Sequence, residues 1–150
     1  MKRFTFGLEK ILELREYHER IAKITLGEKA GKCTILDMEL EENARKTLVA
    51  GRERFRRGGN ASDYLAGEHY ALRLGSERER LMKALALAEV EREKARLTYI
   101  EASKSKQLIV KLKEREAAEY YKAAARDETK SMDDIAAIAH AHGLASAGGS

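Results

Sequence analysis

Any chemistry in this chain would have to come from a small set of side chains. The histidines are His18, His69, His140 and His142, and Cys33 is the single cysteine. A zinc site needs clustered His, Cys or carboxylate ligands. Only His140 and His142 lie close in sequence, and residues two apart on a helix point in different directions. One cysteine can form neither an intramolecular disulfide nor a Cys-based metal site. Cys33 falls among apolar residues at helical spacing, where a small packing role outweighs a reactive thiol. Gly58-Gly59 lacks the spacing and the following Lys-Ser/Thr of a phosphate loop. Carboxylates are plentiful but interleaved with cations, and none forms an isolated pair suited to general acid–base work. These residues support no catalytic reaction, no metal and no cofactor.

Two groups suit binding instead. Arg52, Arg54, Arg56 and Arg57 stand against Glu53 alone. Cations in a last helical turn complement the macrodipole, but four exceed what capping requires, and an acidic partner is expected to meet them. The second group is Tyr64, Tyr70, Tyr99, Tyr120 and Tyr121. Tyrosines on a narrow seam mostly pack. Tyr120 and Tyr121 are adjacent, so they cannot share one seam, and one of them is expected to offer an exposed contact.

The elements carrying these residues are helical. Charged residues make up 36% of the 150, aromatics 6%, and proline and tryptophan are absent. Ordinary domains run near ~25% charged and ~5% proline. The length fits one domain. The apolar fraction leans on alanine, giving thin hydrophobic contacts that suit a helix–helix seam better than a core deep enough for a pocket. The net charge is +4, and the excess lies in the first 60 residues, after which the signs balance. Finely mixed charge is the pattern of solvated helical faces, whereas a nucleic-acid binder shows a continuous basic stripe. The opening ten residues begin like a signal peptide, but Glu9, Lys10, Glu13 and Arg15 interrupt any apolar region. No run approaches the ~18 apolar residues of a membrane span, and a cytoplasmic location is expected.

Along the chain, Phe4, Leu8, Ile11, Leu12 and Leu14 start an amphipathic pattern. Ile21, Ala22, Leu26, Ala30, Cys33, Leu36, Leu40, Ala44, Leu48, Gly51 and Phe55 continue it at mostly three- and four-residue steps. This predicts a helix over about 4–57, on the order of 80 Å at 1.5 Å per residue. Arg56-Arg57-Gly58-Gly59-Asn60 breaks it. Paired glycines suit a C-terminal cap with positive φ, and Asn60 or Ser62 can cap the next helix. A connection with a short helical piece is expected over about 58–75. Gly75-Ser76 with Glu79 then reads as a capping box, the alternative being one unbroken helix through Gly75.

The second long helix, about 76–140, is the most regular part. Leu74, Leu81, Ala88, Ala95, Ala102 and Ile109 repeat every seven residues, with a companion seam through Arg78, Leu85, Arg92, Tyr99 and Lys106. Beyond Ile109 the seam runs through Leu112, Arg115 or Glu116, and Tyr120 to Ala123. Residues 143–150 have no periodicity and are expected to be a disordered tail, leaving 1–142 as a single helical hairpin. A short connection makes the two helices pack antiparallel. The fold class is therefore all-α, a long two-helix antiparallel coiled-coil hairpin.

With that frame, the chain resembles the flagellar export protein FliJ family. Phe4-x-Phe6-x-Leu8-x-x-Ile11-Leu12-x-Leu14-Arg15-Glu16 is similar to the family's opening signature. Lys113-Glu114-Arg115, Tyr120 and Glu128-x-Lys130-x-Met132-Asp133-Asp134-Ile135-Ala136 are similar to its closing one. Gly7 departs from the family, which often has a helix-starting proline there.

The resemblance implies a non-catalytic component of the flagellar type III protein export apparatus, serving motility, with a fold similar to the central stalk subunit of rotary ATPases. It implies binding to the hexameric export ATPase and help with its ring assembly. It also implies a link to the cytoplasmic domain of the membrane export gate and escort of export chaperones. The location implied is cytoplasmic and peripheral to the inner face of the cell membrane. On that analogy Phe4, Phe6, Leu8, Ile11 and Arg15 lie near Lys113, Arg115 and Tyr120 at the ATPase end. Arg52, Arg54, Arg56 and Arg57 are the candidate surface at the hairpin tip, facing the gate. The equivalent stalk of a virulence-type injectisome shares this description. A nucleic-acid-binding hairpin is the reading from another class, and the evenly mixed charge argues against it.

Overall fold

Proline-free sequence rich in Ala, Leu, Glu, Lys and Arg costs little to hold in helix, and two helices take up most of the chain. The structure, a computed structural model, describes residues 3–54 and 58–147, with side chains as far as 142. Helix α1 is Glu9–Arg54 and helix α2 is Ala61–Ala147, packed against each other. Among the described residues there is no strand.

The helix α1 starts later than the expected residue 4. Residues 3–6 are non-helical and Gly7-Leu8 form a turn, from which the Leu12 amide donates to the Leu8 carbonyl at 3.0 Å. Gly7 lacks the preset φ with which a proline starts a helix, and Phe6 is instead held by its side chain, 5% exposed. The expected end of α1 at 57 falls on residues 55–57, which lie outside the described ones.

Gly58 has a φ of 111°, a value that L side chains rarely adopt. Asn60 then caps α2: its Oδ1 accepts from the Asp63 amide at 2.8 Å, while Asp63 Oδ2 accepts from the Asn60 amide at 3.3 Å. This reciprocal box satisfies two amides that the first turn leaves over. Of the two candidate caps, Asn60 takes the role.

Of the two readings at Gly75, a capped restart or one unbroken helix, the second holds, because α2 passes through it without interruption. Ser76 and Glu79 therefore lie inside a helix, and one glycine costs ~1 kcal/mol relative to alanine, too little to end a helix packed on both sides of it. The helix also runs on past the expected boundary near 140, as far as Ala147; alanines dominate there, and Gly143 is again a single tolerated glycine.

The chain forms two compact units. One comprises residues 17–103. Within it Lys29 meets Glu91, Asn43 meets Leu74 and Arg54 meets Glu68, so partners step backward along α2 as they advance along α1, and the pairing is antiparallel. Ala22 and Cys33 from α1 are buried with Leu74, Leu81, Ala88 and Ala95 from α2. The seven-residue repeat of α2 thus forms the seam, and alanines in it let the backbones approach closely. Of the companion positions, Leu85 and Tyr99 are half-buried, whereas Arg78 and Arg92 are exposed. Their long cationic stems leave the groove, and Tyr70, Glu77 and Ala84 are half-buried there instead.

The other unit joins residues 1–16 to 104–150. Among the described residues, Phe6 and Leu12 are its buried apolar ones. Along α2 the half-buried line runs through Ile109, Leu112, Glu116 and Tyr120 to Ala124, and Arg115 is exposed. From Ala125 to His142 every residue is exposed. None of the described helices is long and apolar enough to cross a membrane.

Candidate functional site

In the unit formed by the two chain ends, non-helical residues 3–6 and the start of α1 lie alongside α2. Phe4 and Tyr120 place their ring centroids 5.6 Å apart with planes tilted by 51°, within the range where such pairs attract. Tyr120 in turn meets Tyr121 edge-on at 5.5 Å. One of the adjacent tyrosines is half-buried and the other, Tyr121, is exposed, as adjacency on a helix requires.

One turn or so deeper, Lys113 Nζ donates to both carboxylate oxygens of Glu9 at 2.8 Å. The same ammonium lies 5.8 Å from the centroid of the Phe6 ring, a cation–π distance. One lysine therefore engages a carboxylate and an aromatic face of the opposite segment together. Glu9 was missed in the sequence, where it reads as one more solvated acid; a carboxylate in a first helical turn was the available signal.

The remaining candidates at this end are placed differently. Leu8 is half-buried, and Ile11, Arg15 and Arg115 are exposed. Arg115 lies 4.0 Å from Glu119 on its own helix. The structure brings Phe4, Phe6, Lys113 and Tyr120 together and leaves Ile11, Arg15 and Arg115 facing solvent.

The arginine cluster is divided. Arg52 is exposed. Arg54 is half-buried, pairs with Glu68, and lies 5.6 Å from the Tyr64 ring centroid. Its charge is thus met within the chain. Arg56 and Arg57 lie outside the described residues.

Away from these clusters, Lys29 Nζ and Glu91 Oε2 are 2.8 Å apart. The hydrogen bond to Glu91 raises the Lys29 pKa, and the same bond lowers that of Glu91. Arg96 likewise grips Glu93 and holds its carboxyl below the usual range. His140 and His142 are exposed on α2, and among the described residues no three His, Cys, Asp or Glu side chains gather as a metal site would require. Cys33 is buried in the seam.

The family model described as Flagellar FliJ protein matches residues 4–144. No curated protein and no solved structure matches the chain. The family match begins at Phe4, the residue that meets Tyr120, and continues through both packed helices. Nearly the whole sequence thus shares one family pattern, and the chain belongs to the flagellar FliJ family, a non-catalytic family of flagellar export components.

Proposed function

We propose that this protein is a coiled-coil stalk that binds the flagellar export ATPase, promotes assembly of its hexameric ring, and links it to the export gate and to export chaperones. The observation that carries this reading is the joined pair of chain ends, where Phe4 meets Tyr120 and Lys113 meets both Glu9 and Phe6. A helical pair tied at its ends can enter a ring as one piece rather than as two separate strands. In this reading Phe4, Phe6, Tyr120 and Lys113 hold the end together. Leu8, Ile11, Arg15 and Arg115 add the ring contacts, three of them from exposed positions.

The hairpin tip faces the gate, a cytoplasmic domain of a membrane protein, through Arg52, Arg56 and Arg57, with Arg54 held beside them by Glu68. Arg52 is the exposed member among the described residues. The protein works in the cytoplasm, peripheral to the inner face of the membrane, and gains that location from its partners.

Co-purification with the export ATPase is the test. Added stalk should raise both hexamer formation and ATP hydrolysis, and the combined substitutions Ile11→Ala, Arg15→Glu and Arg115→Glu should reduce both. If the unaltered chain changed neither, the stalk reading would fail. Charge reversal of Arg52, Arg56 and Arg57, which leaves the Arg54–Glu68 pair in place, should weaken capture of the gate's cytoplasmic domain while leaving the ATPase response intact.

A further inference from the structure

Along the second half of α1, two faces compete for the seam with α2. Both are continuous with Cys33, Leu36 and Leu40. One proceeds by alternating three- and four-residue steps to Asn43, Thr47, Ala50 and Arg54. The other proceeds by four-residue steps to Ala44 and Leu48 and then to Gly51. They differ by one stutter, a change that coiled coils absorb by local unwinding, and they lie about 100° apart around the helix.

Apolar burial favours the face with Leu48, yet it is Asn43, Ala50 and Arg54 of the other that turn inward, with Thr47 between them exposed. Asn43 is 3% exposed and Leu48 is 65% exposed, with Ala44 at the surface and Ala50 half-buried. Burying an amide while leaving a leucine in water needs a specific compensation. Asn43 Nδ2 supplies it by donating to the Leu74 carbonyl across the seam at 3.1 Å. Thr47 Oγ1 donates to the Asn43 carbonyl at 2.8 Å, so the next polar residue on this face satisfies itself within α1. Asn43 Oδ1 has no hydrogen-bond partner among the described residues. The amide is half-satisfied, so the choice of face hangs on one directional bond rather than on general burial.

We propose that Asn43 is a rotational pin: its bond to Leu74 selects which face of α1, over residues 40–54, meets α2, and holds Leu48 outward. Without the bond, the alternative face through Ala44 and Leu48 turns in. A single buried asparagine setting register is a known use of polar seam residues in coiled coils.

Thiol alkylation of the full chain tests this, with Ala44→Cys and Ala50→Cys as reporters and peptide masses separating them from the buried Cys33. In the Asn43 protein the thiol at 44 should react roughly ten-fold faster than the thiol at 50. Asn43→Ala should lower that ratio by about ten-fold, and adding Leu48→Ser, which removes the apolar drive, should restore it. A ratio that stays within about two-fold of the parent while helicity is retained would overturn the proposal. Should Asn43→Ala lose helicity, Asn43→Ser is read instead, because its hydroxyl bonds to its own helix and cannot reach Leu74. An unchanged ratio there, or loss of helicity in both variants, also overturns the pin, since Asn43 would then serve folding rather than the choice between two folded faces.

Discussion

Lys113 grips Glu9 with its ammonium 2.8 Å from each carboxylate oxygen, although 104 residues separate them in the chain. The aromatic contact between Phe4 and Tyr120 lies beside this pair, and together they tie residues outside α1 to α2. Removing the ring with Phe4→Ala should cost about 0.5–1.5 kcal/mol of pairing beyond the lost area. The loss should be confined to residues 3–16 and their partners on α2. Amide exchange resolved by peptide would show faster exchange there and unchanged protection around Leu81 and Ala88.

The thin seam makes a size-dependent forecast. Ala88 is 2% exposed in the seam. Ala88→Leu adds volume where none is free and should destabilise by about 1–3 kcal/mol. Its neighbour Leu87 is 69% exposed, and Leu87→Ala should stay within about 0.5 kcal/mol. Thermal unfolding of the two variants should differ accordingly.

The two glycines that interrupt the sequence pattern should respond in opposite directions. Gly58 has positive φ, so Gly58→Ala is strained and should cost about 1–2 kcal/mol. Gly75 is inside α2, and a Cβ there meets open space. Gly75→Ala should stabilise by about 1 kcal/mol. Urea unfolding midpoints would check both signs.

The Lys29–Glu91 bond makes stability depend on pH at both extremes. Glu91 has a lowered folded pKa, so its contribution is present above its unfolded value and is lost as pH falls through the folded one. Lys29 has a raised pKa, so its contribution is present below its unfolded value and is lost as pH rises through the folded one. The bond therefore acts across the whole neutral range. Glu91→Gln should flatten the acid limb of a stability–pH curve, measured at low salt because both side chains are solvated.

The parts of the fold legible in the sequence were those where one signal had no rival. Leu74, Leu81, Ala88 and Ala95 repeat at seven with no competing apolar stripe, and all four are buried. Gly58 was legible because few residues but glycine take its backbone conformation. The second half of α1 was not, because Ala44 and Leu48 are more apolar than Asn43 and Thr47. Following hydrophobicity selects the wrong face, and a hydrogen bond to a carbonyl 31 residues away leaves no local trace. Gly75-Ser76 imitates a helix start for a similar reason: capping residues look alike whether or not the helix behind them ends. At the candidate site, the aromatic residues of the opening and closing segments were visible as types. The division of the arginines was not, because Glu68, which meets Arg54, reads as an ordinary surface acid.

The positive-φ turn at Gly58 also sets an order of events. Arg54 and Glu68 flank it closely, whereas Glu9 and Lys113 are separated by most of the chain. Each doubling of the intervening loop adds about 0.6 kcal/mol of closure entropy. Pairing that begins beside the turn shortens the loop for every later contact, so the helices should close like a zip from Gly58 outward. The ends that carry Phe4 and Tyr120 would then be the last to form and the first to open.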